Sequence, residues 1–124
     1  MIAEAHEVVY VDVYLMDDEE FRIGRRPDND LVLPETWIGV SRVHCRISTL
    51  DTPRACKFVL MDLGSGNGTY LQPIGDDIDD AEMIIPFRQY ELEIGDRVIL
   101  GHPRWGRVLE LRSLENITYR TMGT

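Results

Sequence analysis

The chain has 124 residues and 14.3 kDa, with 13 Lys+Arg against 22 Asp+Glu for a formal net charge of −9. That length closes one hydrophobic core, and 44% hydrophobic with 28% charged residues is a globular composition, which excludes wholesale disorder. So acidic a chain repels nucleic-acid phosphates and lacks the polybasic stretch that holds proteins on anionic membranes, so neither nucleic acid nor membrane is an expected partner.

Along the chain the apolar spacing has a period of two. Val9, Val11, Val13 and Leu15 alternate with Tyr10, Asp12 and Tyr14, the pattern of a strand buried on one face. Asp17-Asp18 supplies a turn, and Phe21–Gly24 reads as the return strand. Residues 31–33 form a short strand stopped by Pro34. Residues 43–49 alternate again, turn around Asp51-Thr52-Pro53 and pair with 57–61 as a hairpin. Strands at 69–71, 89–94, 97–101 and 107–111 complete the set, and Ile94-Gly95-Asp96 has the chemistry of a tight hairpin turn. No window of a dozen residues keeps helical spacing without a Gly or Pro. Nine or ten short strands with turns between them describe an all-β sandwich or barrel.

The longest apolar run, Met83 to Phe87, is about five residues against the roughly 20 needed to span a bilayer. The N-terminus opens on acids rather than a basic region, so it is not a signal peptide. Cys45 and Cys56 sit on the two arms of the expected hairpin, where they can face each other. Two small buried hydrophobes are preferred to a disulfide, and the expected address is cytoplasmic.

Charge is unevenly distributed. Between Phe21 and Leu50 five arginines face three acids; between Gln72 and Asp96 eight acids face Arg88 alone. Twelve of the thirteen cations are Arg, whose planar fork suits phosphate or carboxylate. Three loops gather the recognition chemistry: 25–30 after Gly24, Ser41-Arg42-Val43-His44 at a strand mouth, and Gly64-Ser65-Gly66-Asn67-Gly68-Thr69 between two strands. Loops at one end of a sandwich converge. Two guanidinium groups, a hydroxyl, an amide and backbone N–H groups then make a compact oxyanion receptor.

Other chemistries fit poorly. Ser41 and His44, three apart on one strand, point to opposite faces and make no nucleophile–base pair. The Gly64–Gly68 loop is neither of the Gly-rich nucleotide patterns. Asp76, Asp77, Asp79, Asp80 and Glu82 miss the spacing of a calcium loop and read as a solvated acidic loop. No catalytic residue, metal or cofactor is expected.

Taken together, Gly24-Arg25, Ser41-Arg42-Val43-His44, the run from Asp62 to Thr69, and Gly95-Asp96-Arg97-Val98-Ile99-Leu100-Gly101 resemble the forkhead-associated (FHA) domain over roughly residues 8 to 111. The resemblance implies a β-sandwich of about eleven short strands, FHA/SMAD-like, over residues 1–112. Residues 113–124 are left as a polar tail or the start of a linker. It implies a non-enzymatic signalling adaptor that binds phosphothreonine peptides through loops at one end.

Position by position, the resemblance puts Arg25 on the phosphate, Ser41 as a hydroxyl donor to it and Arg42 as a second cation. Asn67 falls where an amide holds the ligand main chain, and Gly66 contributes backbone only. His44, Gly24, Gly64, Gly68 and Thr69 fall in loop support. Trp37 and Ile38 either fold back onto the sandwich or contact ligand residues flanking the phosphothreonine. Gly39 offers no side chain to read the third position after it.

The implied partner is a phosphothreonine-containing protein, the substrate of a Ser/Thr kinase, bound by a monomer. The alternative is a phospho-independent scaffold or self-association domain that uses the acidic 72–86 stretch or the Trp37 surface. That stretch departs from the family's usual tight turn, and its direction decides whether it repels an anionic peptide.

Overall fold

The alternation of apolar residues produces ten strands among the residues that the computed structural model describes, 8–12, 20–51 and 56–112. They are β1 (Val8–Asp12), β2 (Phe21–Gly24), β3 (Leu31–Val32), β4 (Cys45–Asp51), β5 (Cys56–Asp62), β6 (Thr69–Gln72), β7 (Glu82–Met83), β8 (Tyr90–Leu92), β9 (Arg97–Leu100) and β10 (Arg107–Arg112). A 3₁₀ turn at Ile78–Asp80 lies between β6 and β7. Two five-stranded sheets result, ordered β1-β10-β9-β6-β7 and β3-β2-β4-β5-β8. The expected all-β sandwich is the observed architecture.

Inward-facing side chains of the two sheets interdigitate. Val11, Val98, Leu100, Leu109 and Leu111 from the first meet Ile23, Ile47, Leu60 and Leu92 from the second, all at most 4% exposed. β9 is buried on both faces. Ile99, on its outer side, is fully covered, and a Cβ built at Gly106 would lie 2.8 Å from its Cγ2, so the 101–106 loop lies against it.

The β4–β5 hairpin forms in the expected place, with Cys45 opposite Asp62 and Asp51 opposite Cys56. That register puts the cysteines at opposite ends of the hairpin. Six residues of strand separate them, about 20 Å, far beyond disulfide reach. The two are therefore not adjacent, in keeping with the preference against a disulfide, and Cys45 is a free, buried thiol. The turn at 52–55 lies outside the described residues, as does the Asp17-Asp18 turn.

Two other expected pairings do not form. β2 is not the return strand of β1, which instead runs parallel to β10 in the other sheet. Likewise Ile94-Gly95-Asp96 does not close a hairpin, because β8 pairs with β5 while β9 pairs with β10 and β6. The turn is a corner between sheets. Gly95, at φ +99°, donates its N–H to Leu111 O at 2.7 Å, and Asp96 takes the N–H groups of Ile74 and Glu93. The short strand β7, unforeseen, returns from the acidic stretch to pair Met83 with Tyr70 and Glu82 with Leu71.

Register fixes which loops share an end. Ile23 pairs with Cys45, and Cys45 with Asp62, so the loops leaving β2, entering β4 and leaving β5 emerge together. The start of β6 joins them through Leu63 N–H to His44 O (3.0 Å) and Gly101 N–H to Gly68 O (2.9 Å). The 73–81 stretch and the Glu93–Arg97 corner lie at the other end, since Gln72 pairs with Arg97 while Thr69 pairs with Leu100.

Candidate functional site

Gly24 ends β2 where backbone must pass against backbone. A Cβ there would sit 2.1 Å from Arg42 O and 2.9 Å from Val43 Cα, so only glycine lets the 41–43 segment lie this close. The approach is then sealed by backbone hydrogen bonds, Arg25 N–H to Ser41 O (3.3 Å) and Arg26 N–H to Arg42 O (3.0 Å). Asn29 adds a clamp: its buried amide donates to Arg26 O at 2.8 Å and Arg42 O at 2.7 Å.

Arg25 is held at its root. Its Nε donates to Val40 O at 2.6 Å and its Nη1 to Glu35 O at 3.4 Å. A guanidinium has five N–H donors, so three remain for a ligand. Arg42 is exposed, and its guanidinium has no partner among the described residues. Arg26, by contrast, is committed to Asp28 at 2.5 Å. That hydrogen bond and charge lower the Asp28 carboxyl and raise the guanidinium, each from its ordinary value.

The Ser41 hydroxyl accepts the Gly66 N–H at 2.9 Å. A hydroxyl has one proton to give, and here that proton stays available to an incoming oxyanion. His44, fully buried, ties this loop to the next from beneath. Its Nδ1 accepts the Ser41 N–H at 3.0 Å, so Nε2 carries the proton and donates to Gly68 O at 2.9 Å. Burial lowers its pKa from the ordinary value, against the opposing pull of Gly68 O and Asp62. The ring thus supports both loops and has no free nitrogen for the Ser41 hydroxyl.

Asp62, buried at the end of β5, organises the third loop. Its Oδ2 accepts the N–H groups of Gly64 (2.9 Å) and Ser65 (3.1 Å); its Oδ1 accepts the hydroxyls of Ser65 (2.5 Å) and Thr69 (2.6 Å). Burial pushes this carboxyl up, yet the four hydrogen bonds outweigh it and hold the pKa below the ordinary value. Gly68 turns the chain at φ +85°, and Asn67 reaches across to donate to Gly39 O at 2.9 Å. Arg25, Ser41, Gly66 and Asn67 are thereby brought onto three loops that touch one another, with His44, Gly24, Gly68 and Thr69 beneath or beside them.

Trp37 and Ile38 part company. Trp37 is half-buried against the core with the Arg107 guanidinium 4.4 Å above its ring, while Ile38 is 82% exposed. Trp37, Ile38, Trp105 and Arg107 line a groove of about 150 Å³ whose floor includes Val40 and Leu100. The groove adjoins the site through Gly39, where a Cβ would lie 3.0 Å from Trp105 Cζ3 and 3.8 Å from Asn67 Nδ2. The acidic residues 76–80 lie at the far end of β6, about 10 Å of strand away from Gly68.

Sequence reasoning assigned no role to Asn29, Asp62 or Trp105. The Asp-x-Gly-Ser run at 62–65 is Asx-turn chemistry and signals Asp62. Asn29 lies in a Pro/Asn/Asp turn, but its bond to Arg42 O joins residues 13 apart, which no local pattern announces.

Comparison with known proteins bears on the fold and the family. No curated protein matches the chain in sequence. The FhaA FHA domain, solved with the intracellular domain of Rv3910, is 31% identical with a TM-score of 0.52, over 72% of this chain and 79% of that one. A structure from a study of phosphothreonine-dependent FHA domain interactions is also 31% identical, with a TM-score of 0.50 over 75% and 76%. The MEK1 FHA domain, solved with a HOP1 phosphothreonine peptide, shares the fold at 23% identity and a TM-score of 0.56, over 76% and 80%. The FHA domain family model matches residues 21–101, and the chain therefore belongs to the FHA domain family, interaction modules known for binding phosphothreonine peptides.

Proposed function

We propose that this chain is a phosphothreonine-dependent adaptor that captures a partner phosphorylated by a Ser/Thr kinase, through the loops at 25–30, 39–44 and 64–69. The observation that carries this reading is the shared seat of Ser41 and Gly66. The hydroxyl is pinned by the Gly66 N–H with its proton left to give, and the neighbouring Arg25 keeps three donors in reserve. A phosphothreonine brings about −1.5 to −2 charge and three acceptor oxygens to match them. Arg42 supplies a second cation, and Asn67, held on Gly39 O, presents its amide to the ligand main chain.

Ile38 and the Trp37–Trp105 groove then meet the ligand's flanking residues, with an apolar side chain as the matching chemistry. The acidic stretch, set at the other end, leaves the phosphate unopposed. The module works as a monomer in the cytoplasm and performs no catalysis. Among the described residues no helix is long and apolar enough to cross a membrane.

Fluorescence polarisation with a degenerate phosphothreonine library, and with phosphoserine and unphosphorylated pools, tests the reading. Binding confined to the phosphothreonine pool, at micromolar Kd or about −8 kcal/mol, is expected. Arg25→Ala or Ser41→Ala should each weaken it by at least tenfold while leaving the fold intact. Ile38→Asp should weaken only peptides with an apolar flank. Equal binding of all pools, or unchanged affinity in both Arg25→Ala and Ser41→Ala, would overturn the reading.

A further inference from the structure

We propose that the exposed run Met83–Phe87 extends the phosphopeptide site and docks an apolar stretch of the phosphorylated partner, beyond the residues next to its phosphothreonine. This rests on the phosphothreonine reading above. Met83–Phe87 is the longest apolar run of the sequence, yet little of it serves the core. Ile84 faces inward at 3% exposure, its N–H on Thr69 O at 2.9 Å. Met83, Ile85 and Phe87 stand outward, exposed by 60%, 49% and 66%. A segment that needed only to bury Ile84 would carry polar residues at those positions. Apolar side chains grouped in water, with an aromatic and a methionine among them, have the composition of an interface centre.

Phe87 is displayed at a conformational cost. Ile85-Pro86-Phe87-Arg88 closes a turn through Arg88 N–H to Ile85 O at 3.3 Å, with Pro86 second and Phe87 third at φ +63°. A turn of that pattern takes glycine or asparagine at its third position, and a bulky residue there is strained. Among the described residues Phe87 is the one non-glycine at positive φ. Its N–H is tied to Asp62 O at 2.9 Å, so the turn hangs on the residue that organises the 64–69 loop. Strain of this kind persists where the surroundings enforce it, and it gathers at ligand-contacting segments.

The position of the patch names its occupant. The Phe87 ring rests on Gly64, where a Cβ would meet its Cζ at 3.2 Å. Met83 rests on Gly68, where a Cβ would lie 3.0 Å from Sδ. These two glycines bound the stretch that carries Gly66 and Asn67, so the patch is continuous with the loop that receives the phosphothreonine. Gly64 stands two residues from Gly66, at most ~7.6 Å of chain, and an extended ligand rising about 3.3 Å per residue reaches the ring within about three or four residues. The Trp37–Trp105 groove meets the site at Gly39 and Asn67, whereas this patch meets it at Gly64 and Gly68, so the two surfaces take different stretches of the ligand.

Two fluorescent phosphothreonine peptides test this. Both carry alanine beside the phosphothreonine; about three to six residues away on each side, one carries leucine and its twin serine. The ratio of their affinities within one protein isolates the patch from the phosphate. Wild type should bind the leucine peptide at least tenfold more tightly. Phe87→Gly removes the ring and suits the turn, since glycine takes positive φ freely, and should bring the ratio below about two. Ile85→Ser keeps the backbone N–H that Tyr90 Oη accepts at 2.9 Å and should lower the ratio as well. Ile74→Ser, at an exposed aliphatic on the far end of the sandwich, should leave it unchanged. A ratio near one in the wild type, with the serine peptide bound, would overturn the proposal and leave the phosphothreonine reading standing; no binding of either peptide would end both. A ratio that survives in Phe87→Gly and Ile85→Ser would put the apolar flank elsewhere and overturn the proposal, as would equally tight binding of the unphosphorylated leucine peptide. Self-association of the wild type that Phe87→Gly abolishes would give the patch to a second copy of the chain, and the phosphorylated partner would lose it.

Discussion

Asp62→Ala removes the acceptor on which the 64–69 turn is built. Gly64 and Ser65 can turn their N–H groups to water, but Thr69 is 0% exposed and its hydroxyl would lose its acceptor. An unmatched buried polar group costs about 1–3 kcal/mol, and the hydrogen bonds lost to a charged acceptor add about 1–2 kcal/mol more. The expected loss is about 2–5 kcal/mol, a large share of the roughly 5–15 kcal/mol that holds a domain folded.

Asp62→Asn keeps the shape. Its oxygen can face the two N–H groups and its NH₂ the two hydroxyls, which rotate to accept, so only the charge is lost, about 1–2 kcal/mol. The gap between wild type and Asp62→Asn carries a pH signature. A carboxyl whose folded pKa is depressed contributes fully above its unfolded value, near 3.9, and loses that contribution as pH falls through the folded pKa. The two proteins should therefore differ at pH 7, and the gap should close as pH falls below about 3.9 and through the depressed folded pKa. Urea unfolding followed by tryptophan fluorescence measures both effects, and phosphopeptide titration should show a several-fold weaker Kd for Asp62→Asn. Coincident midpoints for all three proteins, or a gap that does not close with acid, would refute the assignment.

His44 predicts the opposite titration partner. Because burial keeps it neutral in the folded state, the unfolded chain takes up its proton first, and stability should fall as pH drops below about 6.5. Gln reproduces one acceptor and one donor, so urea midpoints between pH 7.5 and 5 should lose that component in His44→Gln; an unchanged slope would remove His44 from the explanation. Gly24→Ala must push a methyl against Arg42 O, 2.1 Å away, and should cost about 2–3 kcal/mol together with phosphopeptide affinity, whereas an unaltered Tm would contradict the close approach. The Cys45 thiol is pushed up by complete burial and by Asp62, so in a Cys56→Ser background it should resist a thiol reagent at pH 8 until the chain is unfolded. Rapid labelling of the native protein would show that Cys45 is accessible.

The strands were legible because side-chain alternation is local: a period of two in Val9, Val11 and the hydrophobic positions of 43–49 survives whatever the strand pairs with. The recognition loops were legible for a related reason, since Arg25, Ser41 and Asn67 stand in short stretches whose spacing is itself the signal. Pairing was not local. Ile94-Gly95-Asp96 is a turn sequence, and a turn that closes a hairpin has the same residues as one that carries the chain between sheets. What separates them is the hydrogen bond from Gly95 to Leu111 and the two bonds taken by Asp96, one of them from a residue 22 positions away. The same holds for the supports of the site. Asp62, Asn29 and the Trp105 wall of the groove act through partners that only the closed sandwich brings near. Residue order therefore dictates which segments extend and which loops carry the ligand chemistry, through sterics and polarity that act over a few residues. Which cysteines meet, which end bears the acids and what holds the loops in register are decided by long-range burial, when two sheets close on one core.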